Sequence, residues 1–299
     1  MPKAKSILLT GSIGFIGKHM LHYLLDRGYL VRPTDKKADP AMWSGATWYD
    51  LQDLGRAEEL FEVNDFRCVI HLAANSSLQR SIEDPVYDVK NNIIPMLNLI
   101  HLCRKYSVPR MVFSSTSAVY ATDAKVPYQE DGKVAPISPY GVSKLACEHY
   151  LAASGVPYSI LRYGNVYGPG QRAVGENALV ARALNHIVHG TPFVINGDGE
   201  QVRDWIYIDD VCRANEMAMA EGPSYVCNVS TGIGVSVNAI VSILCKARDY
   251  YVTKIEHGPA KSGELREVVL DPRRAYVAMG WRAQVPWTSG LEKTASTWR

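Results

Sequence analysis

Short apolar runs alternate along this chain with stretches in which apolar residues recur every three or four positions. Residues 5–10 form an apolar run closed by glycine, the mark of a short buried strand. Over residues 14–27, Phe15, Ile16, Met20, Leu21, Leu24 and Leu25 keep helical spacing. Residues 29–35 read as a second strand and 47–51 as a short third. A helix is expected over 53–63, a strand over 67–72, and a long helix over 85–106, kinked or bulged at Pro95. A strand at 110–115, a helix at 138–154 and a strand at 158–163 follow. Strands alternating with helices predict an α/β fold, a doubly wound parallel sheet with ligands at the carboxyl ends of its strands.

After Gly164 the pattern changes. Residues 164–175 are glycine-rich and irregular. A helix is expected over 177–189, a short strand over 193–195, a further helix from the stretch 204–211, and a strand over 225–229. The last two are expected to return to the first domain. The predicted division is a first domain over 1–165, with 205–230 returning to it. A smaller, mixed α/β C-terminal substrate domain would take 166–204 and 231–299.

Composition narrows the class. A chain of 299 residues, 47% apolar and 21% charged, can bury a sizeable core. A net charge of +2 gives no reason to expect nucleic acid or an acidic membrane surface as partner. The six cysteines are scattered, mostly in apolar runs, with no Cys-x-x-Cys. Buried reduced thiols are expected, with no disulfide framework and no metal site. No apolar run approaches the ~20 residues that span a bilayer. Met1 leads into a strand without the apolar core of a signal peptide, so a cytoplasmic location is expected.

Two segments carry chemistry. Gly11-Ser12-Ile13-Gly14-Phe15-Ile16-Gly17 joins the first strand to the first helix. Glycines there let the backbone turn sharply and approach a pyrophosphate, whose charge is favoured at a helix N-terminus. The same residues could form a tight turn with no ligand. Asp35, 18 residues beyond Gly17, ends the second strand. A carboxylate there accepts from ribose hydroxyls and repels a 2′-phosphate, which favours NAD over NADP. Lys36 and Lys37 follow it and weaken that inference; a solvated turn acid is the alternative. Asp50-Leu51 and Leu72-Ala73-Ala74 end the third and fourth strands, where small residues could let a cofactor lie close or simply pack.

The second segment is Ser138-Pro139-Tyr140-Gly141-Val142-Ser143-Lys144. Pro139 suits the first turn of a helix, and Tyr140 and Lys144 then share one face. An ammonium beside a phenol favours the phenolate, so Lys144 is expected to lower the Tyr140 pKa and make it a general base. Spacing alone is weak, because Tyr250 and Lys254 repeat it.

Taken together, these residues resemble the extended short-chain dehydrogenase/reductase family, and within it the nucleotide-sugar 4-epimerases of the UDP-galactose 4-epimerase type. The resemblance covers nearly the whole chain. It rests on Thr10-Gly11 through Gly17, Asp35, His71-Leu72-Ala73-Ala74, Asn92, Ser114 through Tyr120, Tyr140 with Lys144, Arg162 through Gly168, and Gly197-Asp198-Gly199 through Arg203-Asp204. It implies a Rossmann domain binding NAD, with Thr116, Tyr140 and Lys144 catalytic. Implied cofactor contacts are Gly11, Gly14, Phe15, Ile16, Gly17, Asp35, Lys36, Asp50, Leu51, Leu72, Ala73, Ala74, Asn92, Ser114, Tyr140, Lys144 and Tyr163. Asn91 competes with Asn92. Implied substrate contacts are Ser117, Asn165, Arg172, Asn177, Val194, Asn196, Arg203, Lys261 and Glu264. A homodimer through the helices of Asn92 and Tyr140 is also implied.

Two departures from the family bear on the reaction. The related 4,6-dehydratases carry Asp-Glu directly after the threonine; here Ser117 and Ala118 stand there, so dehydration is not expected. Arg172 resembles an arginine that holds the carboxylate of uronic acids in relatives, or is a solvated loop cation. The function expected is NAD-dependent 4-epimerisation of a UDP-sugar, UDP-glucose/UDP-galactose first, through a 4-keto intermediate. The alternatives are UDP-glucuronate or UDP-N-acetylhexosamine epimerisation, a nucleotide-4-ketosugar reductase, and a catalytically idle NAD-sensing or scaffold protein.

Overall fold

The computed structural model describes residues 5–36, 48–173, 178–248, 255–260 and 265–298. The chain folds as two compact units. One takes Met1–Ala121, Val134–Arg162 and Cys212–Cys227; the other takes Thr122–Lys133, Tyr163–Val211 and Asn228–Arg299. The elements run β1 (Ser6–Thr10), α1 (Phe15–Asp26), β2 (Val31–Thr34), α2 (Leu54–Val63), β3 (Phe66–His71), α3 (Leu78–Glu83), α4 (Pro85–Lys105), β4 (Met111–Thr116), α5 (Pro139–Ala152), β5 (Tyr158–Tyr163) and β6 (Asn165–Tyr167). They continue as α6 (Leu179–His189), β7 (Phe193–Asn196), β8 (Val202–Tyr207), α7 (Ile208–Ala218), β9 (Tyr225–Val229), β10 (Gly234–Ser236), α8 (Val237–Ala247), β11 (Ile255–Gly258), β12 (Glu267–Val268), α9 (Arg273–Met279) and α10 (Trp287–Thr297).

The first unit is built on a six-stranded sheet in the order β2-β1-β3-β4-β5-β9. Pairing is parallel between β1 and β2, β1 and β3, and β3 and β4. Every residue of β1 is buried, as an unbroken apolar run between two partners requires. On one face, Leu8, Val69, Met111 and Phe113 of the strands meet Leu60 and Phe61 of α2, Leu99 and Cys103 of α4, and Leu151 of α5. Each such side chain taken out of water contributes about 1.5–3 kcal/mol.

Helix α4 continues through Pro95, the position where a kink or bulge is expected. Met96, Leu99, Leu102 and Cys103 beyond it are all buried, which offsets the lost backbone bond. The expected third strand is not formed over residues 48–51. Asp50 instead closes a turn: its carboxylate accepts from Gln52 N at 3.0 Å and its carbonyl from Asp53 N at 3.1 Å. Asp53 then caps α2 by accepting from Arg56 N.

In the second unit, β8 pairs antiparallel with β10 and parallel with β12 and β6. A parallel pair, β7 and β11, stands apart from that sheet. Strand β8 occupies residues expected to open a helix. The helix begins only at Ile208, because Trp205, Ile206 and Tyr207 are buried in consecutive strand positions. Likewise β6 forms inside the stretch expected to be irregular. Asp204 anchors this unit, accepting from Thr231 N at 2.8 Å, Thr231 Oγ1 at 2.7 Å, Gly232 N at 2.9 Å and Leu270 N at 3.4 Å.

Candidate active site

The turn between β1 and α1 is made by its glycines. Gly11 sits at φ +69°, and a Cβ there would lie 2.6 Å from Ala73 N. A Cβ on Gly17 would lie 2.0 Å from Gly11 O. The loop is thus pressed against both its own helix and the segment after β3, where Ala73 N donates to Thr10 Oγ1 at 3.2 Å. Helix α1 begins at Gly14 with no side-chain cap and no acidic residue in its first turn. Its N-terminal N–H groups are therefore left for an anion. Asp35 accepts from Ile13 N at 3.4 Å, so the carboxylate borders the same loop. A close-approach turn, an uncapped helix start and a carboxylate at the β2 end fit the pyrophosphate and the adenosine ribose of a dinucleotide.

The second half of this site is the start of α5. Ser138 caps the helix through Gly141 N at 3.1 Å, and Pro139 has no N–H to satisfy. The remaining first-turn donor, Tyr140 N, reaches Ser81 Oγ of α3 at 3.1 Å. The Tyr140 carbonyl accepts from Ser143 Oγ at 2.9 Å. A Cβ on Gly141 would lie 2.5 Å from Ala118 O, so α5 rests directly on the 3₁₀ turn Ser117–Val119. That turn follows Thr116, whose Oγ1 accepts from Ala118 N at 3.2 Å and hydrogen-bonds the Tyr140 phenol. With a lone pair taken by Ala118, the threonine O–H is free to donate toward Tyr140.

Tyr140 keeps part of its surface open, whereas Lys144 is buried one turn on, its Nζ 4.2 Å from the Phe113 ring centroid. The expected lowering of the Tyr140 pKa is not found. Burial pushes the phenol up to about 12, against a lowering hydrogen bond from Thr116, and the nearby Asp88 raises it further. Burial also pulls Lys144 down to about 8, while Cys147, Glu148 and Asp88 hold it up. Desolvation therefore outweighs charge pairing at both groups. His71, beneath the site, is buried and pulled down to about 3, so its ring is neutral; its Nδ1 bonds Thr10 Oγ1 at 2.8 Å.

The amide of Asn92 faces inward. Its Oδ1 accepts from Asn75 N at 2.7 Å, and its Nδ2 donates to Ser143 Oγ at 2.9 Å and Asp88 Oδ1 at 3.0 Å. Asn91, its competitor, instead accepts from Lys36 Nζ at the β2 end and from Gln52 Nε2 at 3.4 Å. Asn91, not Asn92, thus borders the segment that carries Asp35. Ser114 Oγ donates to His71 O at 3.1 Å, and Leu51 is in the core. Asp88, Asn75 and Ser81 belong to the site although no motif marks them, and Ser143, inside the Ser138–Lys144 segment, joins them through Asn92. A signal is present in the sequence: Asp88 and Asn92 are polar residues four apart on an otherwise apolar helix face.

Tyr163, Asn165, Arg172, Val194, Asn196 and Arg203 lie in the second unit. Asn165 stands opposite Trp205 in the β6–β8 pairing, and Arg203 opposite Val235 and Val268. Val194 and Asn196 are in the separate β7–β11 pair, opposite Glu256 and Gly258. Arg172 is exposed, as is Val194. Asn177, Lys261, Glu264, Lys37 and the second Tyr–Lys match fall outside the described residues.

The model of the NAD dependent epimerase/dehydratase family matches residues 7–230. The chain belongs to this family. A UDP-glucose 4-epimerase from Thermotoga maritima, solved with UDP-glucose, is 37% identical with a TM-score of 0.92, each chain covered to 98%. The UDP-glucose 4-epimerase of Thermus thermophilus, solved with NAD, is 34% identical with a TM-score of 0.89, again over 98% of both chains. A UDP-glucuronate 4-epimerase of Thermodesulfobacterium geofontis is 30% identical over 97% of this chain and 94% of its own. For this epimerase/dehydratase family member the glycine turn and the Thr116–Tyr140–Lys144 group lie in one unit, and within the span matched. Among the described residues there is no cluster of groups that could hold a metal ion.

Proposed function

We propose that this chain is an NAD-dependent nucleotide-sugar 4-epimerase, with UDP-glucose/UDP-galactose as the first substrate pair. The observation that carries the reading is the Thr116–Tyr140 hydrogen bond at the carboxyl end of β4, with Lys144 one turn further along α5. Tyr140, as the phenolate that Lys144 stabilises, takes the proton of the sugar 4′-hydroxyl, directly or through Thr116, and becomes the neutral phenol. NAD held by the glycine turn and Asp35 would accept the C4′ hydride and return it, and its nicotinamide charge would favour the phenolate. Inversion requires the sugar to present its other face while the nucleotide stays fixed. We assign that anchoring to Asn165 and Arg203, the latter for its guanidinium fork. Ser117 and Ala118 bring neither of the two carboxyl groups that serve as acid and base in water loss, which speaks against a dehydratase.

Arg172, exposed in the loop after β6, is the residue that would take a uronate carboxylate, so UDP-glucuronate is the second reading. Among the described residues no helix is long and apolar enough to cross a membrane. A cytoplasmic homodimer through α4 and α5, which expose Val86, Val89 and Val142, completes the proposal. The test is Tyr140→Phe, assayed on UDP-glucose without added cofactor. Turnover is expected to fall about 10²–10⁴-fold with bound NAD retained. Near-normal turnover overturns the assignment of the base.

A further inference from the structure

Between α4 and α5 lies a buried carboxylate that the reaction above does not use. Asp88 is 1% exposed. Its Oδ1 accepts from Asn75 Nδ2 at 2.8 Å and Asn92 Nδ2 at 3.0 Å. Its Oδ2 is enclosed and has no hydrogen-bond partner among the described residues. A buried charge with an unanswered oxygen is costly, and an uncharged side chain would avoid the cost of the charge. The retained charge therefore needs a reason, and its neighbours supply one.

Asn92 Nδ2 also donates to Ser143 Oγ, which in turn donates to the Tyr140 carbonyl, so Asp88 is linked to the first turn of α5. It is also near enough to act electrostatically on Tyr140, Lys144 and Cys147. The other groups acting on Lys144 are neutral His71 from β3, and Cys147 and Glu148 from α5 itself. Glu148 is already answered: it pairs with Arg162 of β5 at 2.6 Å and accepts from Ser115 Oγ of β4. Cys147 is held as a neutral thiol by burial. Asp88 is left as the negative charge that nothing else in the seam neutralises.

We propose that Asp88 is a positioning residue for the Tyr140–Lys144 pair: its bonded oxygen fixes the α4–α5 seam through Asn92 and Ser143, and the charge of its carboxylate supports the ammonium of Lys144. The inference rests on Tyr140 and Lys144 working as described above. Without such a counter-charge the ammonium would be lost at a lower pH, and the phenolate would lose its support. The carboxylate also disfavours the phenolate, so Tyr140 stays protonated until further positive charge arrives.

The experiment is a pH titration of the Lys144 Cε resonance in protein carrying ¹³C-labelled lysine, assigned by its loss in Lys144→Met. In Asp88→Asn the Lys144 midpoint is expected to fall by about one pH unit, and in Asp88→Glu to stay near that of the parent. Turnover of UDP-glucose in Asp88→Asn should drop roughly tenfold in kcat with KM changed by less than about twofold. Asp88→Ser is the second neutral variant, should the asparagine protein fold poorly. An unmoved midpoint in either folded neutral variant overturns the proposal, whatever the activity does. A moved midpoint in a protein whose parent epimerises no sugar overturns only the functional reading.

Discussion

Asp88 and Asp204 are buried aspartates, one in each unit, and they are held in opposite ways. Asp204 is surrounded by four donors from two separate segments, Thr231–Gly232 and Leu270. Burial still pushes its carboxyl above the ordinary range, but both oxygens are occupied and three stretches of chain are tied together. Asp88 receives two amides on one oxygen and none on the other. A carboxylate kept for architecture is saturated with donors. One kept for its charge leaves part of that charge to act on its neighbours.

The sharpest way to break this contrast is to delete each group. Asp204→Ala strands the buried Leu270 N and removes the acceptor of the part-buried Thr231 N and Gly232 N, and should cost about 3 kcal/mol in chemical denaturation, at roughly 1–3 kcal/mol for a buried donor left alone and less for the others. Asp88→Asn should cost less, about 1–2 kcal/mol by the same measurement, because it keeps an acceptor for the two amides and leaves only its own amide N–H groups unanswered. Equal losses would erase the distinction. Thr116→Val removes the one hydrogen bond that favours the phenolate; kcat should fall roughly 10–100-fold, the equivalent of about 1.5–3 kcal/mol. An unchanged kcat would take Thr116 out of the reaction.

His71 gives a pH test confined to the first unit. Its buried ring titrates near 3, whereas an unfolded histidine titrates near 6.5. Between those values the unfolded chain binds the extra proton, so its contribution to stability is full above pH 6.5 and is lost as pH falls toward 3. The slope should be about 1.4 kcal/mol per pH unit from this group. His71→Gln should flatten it, read from denaturation midpoints at several pH values. Last, the exposed Lys133–Asp123 pair, at 2.6 Å, should give no measurable change on Asp123→Asn.

The mainly apolar strands of the first sheet are legible in the sequence. Strands β1, β5 and β9 fall where short, mainly apolar runs predict them, and β5 and β9 end to end. The residues around Asp50 mislead, because a run of suitable composition is overridden by an aspartate turn that caps α2. Strand β8 is hidden because the sequence of a buried strand running straight into a helix carries no break between the two periods. In the candidate site, the placement of Thr116 beside Tyr140 follows from motif and topology together. What no spacing could reveal is the balance of burial against charge that sets the Tyr140 and Lys144 protons. That balance depends on Asp88, 52 and 56 residues upstream of them, brought close only by the packing of α4 on α5.

Gly141 belongs in the company of the residues that react. Its missing methyl is what allows α5 to settle onto Ala118 O, and so it gauges the gap between Thr116 and Tyr140. An engineer choosing positions to diversify for a new sugar would pick hydroxyls, cations and pocket walls, and would pass over a residue with no side chain. Yet adding one carbon there would lift the whole helix from its seat and displace Tyr140 and Lys144 together. The tolerance of this enzyme to redesign is set less by the groups that carry protons than by an atom it does not have.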